Sequence, residues 1–63
     1  MLKQIRLRYR VLAKRGGRVL YTGGFGGPRY GTIKSARNGY LRILLDDDKW
    51  AGSYHPTWEL TYL

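Results

Sequence analysis

The chain has 63 residues, twelve of them Lys or Arg against four Asp or Glu, for a formal net charge of +8. A chain this short forms one domain, buries only about 60% of the surface it exposes when unfolded, and has little volume for a deep catalytic cleft. It holds no cysteine, which excludes a disulfide framework and a cysteine-based zinc finger and fits a reducing, cytoplasmic setting.

The N-terminal stretch MLKQIRLRYRVLAKR has no uninterrupted apolar run, so it reads neither as a signal peptide nor as a membrane span. Ile5, Leu7, Tyr9 and Val11 alternate with Gln4, Arg6, Arg8 and Arg10, a period of two that predicts a β-strand and makes residues 1–15 a basic N-terminal strand. On such a strand Arg6, Arg8 and Arg10 stand at roughly 6.6 Å intervals along one solvent face. Guanidinium forks in that arrangement suit a phosphate backbone, although exposed strand faces also carry charge simply to block edge-to-edge association. Gly16 and Gly17 then mark a turn, and Arg18 to Thr22 a short strand with Val19 and Tyr21 on one side. The single RGGR is better explained by that hairpin turn than by a disordered RNA-binding repeat.

The segment GGFGGPRYG, from Gly23 to Gly31, lacks the Lys-Ser/Thr of a phosphate loop and the following helix of a dinucleotide site. It reads as a long Gly-rich connection that presents Phe25, Arg29 and Tyr30. Aromatics beside a cation serve base stacking and phosphate pairing, and the same rings equally serve to cap the open end of a barrel. GTIKSARNGYLRILLDD predicts a hairpin around Asn38-Gly39, the preferred pair for a two-residue type I′ turn. Leu41, Ile43 and Leu45 face inward there, while Tyr40, Arg42 and Leu44 face out, so Lys34, Arg37 and Arg42 share the solvent side as a second basic patch. Asp46, Asp47 and Asp48 lack the alternate spacing and glycine of a calcium loop, and His55 stands alone, so no metal site and no cofactor is expected. Ser53 and His55 with an aspartate make no persuasive triad in so small a domain, and no catalytic residue is assigned. The tail predicts strands through Ser53–Tyr54 and from Leu60 to Leu63, with a 3₁₀ turn near Pro56.

The elements therefore read as all-β. Their order (a Gly-rich loop, GTI with Gly31 opening a strand, an NG hairpin, LRILLDDD, a short strand, HPTWEL and a closing strand) resembles the SH3-like small barrels, in particular their KOW and Tudor-like branch, across roughly residues 18–63. That resemblance implies a five- to six-stranded antiparallel barrel with a 3₁₀ turn before its last strand. It also implies binding of nucleic acid or of the transcription and translation machinery, or else of Pro-rich or methylated peptides. A loop without acids and a charge of +8 disfavour the peptide ligands.

Residues 1–42 carry eleven basic side chains and no acid with which their arginines could pair, so self-neutralisation is expected to be largely excluded. A polyanion is the partner this predicts, DNA or RNA bound mainly through phosphates. Arg6, Arg8, Arg10, Arg29, Lys34, Arg37 and Arg42 are the candidate phosphate contacts, and Phe25, Tyr30 and Tyr40 the candidate stacking platforms. The alternative is a protein-interaction module, an adaptor or inhibitor docking a basic face on an acidic partner. A membrane partner is not expected, and pairing of exposed strand edges makes a homodimer a further expectation.

Overall fold

The computed structural model describes all 63 residues: a helix α1 (Leu2–Tyr9) followed by strands β1 (Arg18–Tyr21), β2 (Arg29–Arg37), β3 (Tyr40–Leu45), β4 (Gly52–Tyr54) and β5 (Leu60–Tyr62). The five strands are antiparallel and form one open sheet in the order β4-β3-β2-β1-β5. No helix is long and apolar enough to cross a membrane.

The basic N-terminal strand is not formed, because residues 2–9 are helical. Leu2, Ile5 and Tyr9 recur at intervals of three and four, so the same apolar residues that alternate along a strand also make one stripe on a helix. Leu, Lys, Gln and Arg are good helix formers. Both neighbours of β1 are taken, by β2 and β5, so the N-terminal segment cannot make a hairpin with the strand that follows it and packs against the core instead. Ile5 is buried and Leu2 and Tyr9 pack against the core, whereas Leu7, expected inward, is exposed. The helix has no side-chain cap at Met1 and ends at Arg10, whose left-handed backbone (φ 56°, ψ 49°) turns the chain back toward the sheet.

The Asn38-Gly39 hairpin forms as its sequence demands, with both residues at positive φ (54° and 81°). Ile33, Leu41, Ile43 and Leu45 are fully buried and, with Val19, Ala13 and Ile5, make the core. A β-bulge interrupts the β2–β3 pairing between Ile33 and Ser35: Ile33 lies opposite Ile43, Ser35 opposite Arg42, and Lys34 is the extra residue. The Lys14–Gly17 turn lies against this bulge, since Gly16 donates its N–H to Ile33 O (2.8 Å) and Gly17 accepts from Ile33 N–H (2.9 Å). Gly31 sits opposite Leu45, where any side chain would meet the core. Ahead of β5 the chain makes a turn closed by one hydrogen bond, Trp58 N–H to His55 O (3.3 Å).

Candidate nucleic-acid interface

The sheet has two chemically distinct ends. At the first, where β2 starts, the turn after β3 brings in the acids. Asp46 donates its backbone N–H to Tyr30 O and accepts a bidentate pair from Arg18, with both nitrogen–oxygen distances 2.7 Å. Arg29 bridges Asp47 (2.6 Å) and Asp48 (2.7 Å). Hydrogen bonds from Arg18 and Arg29 hold the Asp46 and Asp47 carboxyls below the usual carboxylate range. Cations distant from any acid in sequence thus meet acids in space, across separations of 28, 18 and 19 residues. Arg29, a predicted phosphate contact, is withdrawn on this account: its guanidinium is already held by two carboxylates.

At the second end, where β2 runs into the Asn38-Gly39 turn, no aspartate is in reach. Lys34 stands on the bulge, Arg37 is the last residue of β2, and the Lys14-Arg15 turn is hydrogen-bonded alongside. Tyr54 lies opposite Leu41, which puts His55 next to Tyr40, and the Tyr9 ring meets the His55 ring edge-on at 5.3 Å. The C-terminus of α1, with Arg8 and Arg10, therefore reaches the same end. From Lys34 and Arg37 back to Tyr30, beside which Asp46 lies, is roughly 13 to 23 Å along β2 at about 3.3 Å per residue. That exceeds the Debye length of about 8 Å at physiological ionic strength, so the aspartates barely offset these cations. Lys14, Arg15, Lys34 and Arg37 are exposed, and their side chains make no hydrogen bond or ion pair within the protein.

The predicted site is thus only partly assembled. The arginine ridge is absent, because a helix places Arg6 and Arg8 on different sides. Arg6 is half-buried and donates to Ala13 O (2.7 Å), tying the helix to the segment that follows. Arg8 lies over the Tyr9 ring (5.5 Å to the centroid), and Arg10 is exposed at the helix end. Arg37 and Arg42 do share the outer face of the hairpin, but Arg42 is half-buried, donates to Ala51 O (3.0 Å) and leaves its buried Nε–H without an acceptor. Phe25 projects fully into solvent from the Gly-rich loop and Tyr30 lies exposed on the outer face beside Leu20, both at the acidic end; neither caps the sheet. Tyr40 alone of the three expected stacking rings belongs to the cationic end.

Sequence reasoning missed the aromatic groove that opens beside Tyr40. It has a volume of about 370 Å³ and is walled by Tyr21, Tyr40, Tyr54, His55, Trp58 and Glu59. The His55 and Trp58 rings stack (4.2 Å between centroids, 13° between planes), and Tyr21 meets Tyr54 edge-on at 4.8 Å. Thr57 donates its backbone N–H to His55 Nδ1 (3.1 Å), so the neutral ring carries its proton on Nε2. Glu59 is in the left-handed region (φ 54°), its backbone carbonyl and a carboxylate oxygen both bonded to Thr22. Burial raises the Tyr54 hydroxyl above its ordinary pKa. The signal available in the sequence was the aromatic density of the last third, where Trp50, Tyr54, His55, Trp58 and Tyr62 fall within thirteen residues.

No protein family, no curated protein and no solved structure matches this chain.

Proposed function

We propose that this chain is a non-catalytic nucleic-acid-binding module, working in the cytoplasm, that grips phosphates with its cationic end: Arg8, Arg10, Lys14, Arg15, Lys34 and Arg37. The observation that carries the reading is that the end of α1 and the Lys14-Arg15 turn just after it, together with the β2–β3 hairpin some twenty residues further on, bring six basic side chains to one end of the sheet. Four cations clustered without acids raise the local positive potential, and phosphates relieve it with release of condensed counterions. Strand order β4-β3-β2-β1-β5, with the first strand seated between the second and the last, is the order SH3-like barrels use, and it supports reading this open sheet as a minimal member of that class. The recognition is of backbone more than of sequence, because Lys and Arg contacts to phosphate carry no base information.

The test is the dependence of affinity on salt for a labelled single-stranded oligonucleotide and for a duplex. Six phosphate contacts give a slope of log affinity against log salt of roughly −4 for the single strand and −5 for the duplex. The Lys34→Ala/Arg37→Ala double variant flattens either slope by roughly 1.5. No binding at low salt, or a slope near zero, refutes the reading and leaves an acidic protein surface as the partner of these cations.

A further inference from the structure

We propose that the groove between β4 and the Pro56–Glu59 turn is a pocket for one unstacked, amino-bearing base of a single-stranded nucleic acid, an inference that rests on the phosphate-binding reading above. Three features of the groove point to that occupant. Its walls are flat rings, and Trp58, with one face on His55, remains 65% exposed, leaving its other face open as a platform. Successive bases stack on such rings whatever their identity, because every base has a π-face. Second, the rim is cationic: Tyr40, which lines the groove, lies opposite Arg37 across the hairpin, and Tyr9, which touches His55, lies between Arg8 and Arg10. Phosphates on either side of an inserted base meet these arginines. Third, one acid, Glu59, stands in the wall itself. Glu59 holds a backbone conformation that L-residues adopt at a cost, a feature concentrated at binding sites. Its carboxylate, half-engaged by the Thr22 hydroxyl (3.2 Å), keeps an oxygen free to accept from an exocyclic amino group.

A duplex cannot offer this contact without extruding the base, whereas a single strand offers it directly. The geometry therefore makes the module selective for single strands and favours cytosine, adenine or guanine over thymine, which has no amino group.

The experiment compares, at one salt concentration, binding of an oligodeoxycytidine and of an abasic oligomer with the same number of phosphates. Wild type is expected to bind the base-bearing oligomer about tenfold more tightly, the scale of one base stacked on an aromatic ring. Trp58→Ala brings that affinity down to the abasic value while abasic binding stays unchanged, and Trp58→Phe restores most of the difference. Glu59→Ala, which removes the accepting oxygens, abolishes preference for oligodeoxycytidine over oligothymidine. Equal affinity of wild type for the base-bearing and abasic oligomers overturns the pocket but leaves phosphate binding standing, as does a Trp58→Ala variant that weakens both alike. Failure of both oligomers to bind overturns the pocket together with the reading it rests on. Trp58 is largely exposed and outside the core, and circular dichroism of each variant shows whether the sheet is kept.

Discussion

Gly31 offers the sharpest test of how tightly this sheet is wound. A methyl group on its Cα would lie 2.9 Å from Ile43 Cγ2, 2.9 Å from Leu45 Cδ2 and 3.0 Å from the Leu44 carbonyl oxygen. Comfortable carbon contacts are about 3.5 to 4.0 Å, so all three are short at once. None of the neighbours can yield cheaply: Ile43 and Leu45 are fully buried, and Leu44 is fixed in register opposite Thr32. Overpacking of this kind costs about 1 to 3 kcal/mol, and the stiffer unfolded chain returns about 0.4 to 1 kcal/mol, so Gly31→Ala destabilises by about 1.5 kcal/mol net. In a domain of this size that lowers the unfolding midpoint by roughly 6 to 12 °C. Gly26→Ala is the matched control. A Cβ there meets nothing within 4 Å and the backbone is not left-handed, so only the unfolded-state gain remains and the midpoint rises. Thermal melts followed by circular dichroism at neutral pH decide the matter. If the two alanine variants move in the same direction by similar amounts, the tight approach of β2 to the β3 side chains is not what Gly31 provides.

Other outcomes follow from the charges and the caps. Arg10→Gly relieves the left-handed C-cap and raises stability by about 0.5 kcal/mol, and on the proposed phosphate-binding reading it flattens the salt slope by roughly 0.7 to 0.9; a variant that is less stable in melts contradicts the cap assignment. The Asp46 and Asp47 carboxyls lie below 3.8 in the folded chain, so their contribution to stability is complete at neutral pH and is lost as pH falls through those lowered values. Acid unfolding midpoints at low salt are accordingly shallower against pH in Asp46→Asn than in wild type, and parallel curves would sink the point. Burial pushes the Tyr62 hydroxyl, which donates to Pro56 O (2.7 Å), up to about 12. Its stabilisation is present below pH 10 and lost between about 10 and 12, and Tyr62→Phe, less stable by about 1 kcal/mol at pH 7, loses less stability than wild type over that alkaline window in urea titrations, the raised Tyr54 hydroxyl accounting for what remains.

How much of this was legible in the sequence depends on the range of the interaction. The β2–β3 hairpin was, because Asn38-Gly39 fixes the turn and the alternation of Leu41, Ile43 and Leu45 fixes the buried face, both within a few residues. The bulge at Lys34 was not, since nothing local distinguishes an unpaired Lys from a paired one. The N-terminal segment failed for a different reason. Ile5 and Tyr9 belong both to a strand alternation and to a helix stripe, and the choice was made by which sheet neighbours were left, a tertiary fact. The candidate site mixed these cases. Arg37 and Tyr40 sit where the hairpin pattern put them. Arg29 was lost to aspartates 18 and 19 residues further on, and Arg6 and Arg42 to backbone carbonyls. The groove is built from β1, β3, β4 and the final turn, four pieces that no window of sequence contains together.

The ion pairs that confine the aspartates to one end have a kinetic consequence. With the three aspartates paired to Arg18 and Arg29 at one end and cations without such partners at the other, the excess positive charge lies off-centre, and on the phosphate-binding reading a polyelectrolyte's field rotates the molecule during diffusion, before contact. On the same reading the hairpin and the end of the helix arrive first, facing the phosphates, so fewer encounters are wasted on the wrong side of the particle. By cancelling Arg18 and Arg29, Asp46, Asp47 and Asp48 leave the opposite end as the one that would draw a phosphate backbone in.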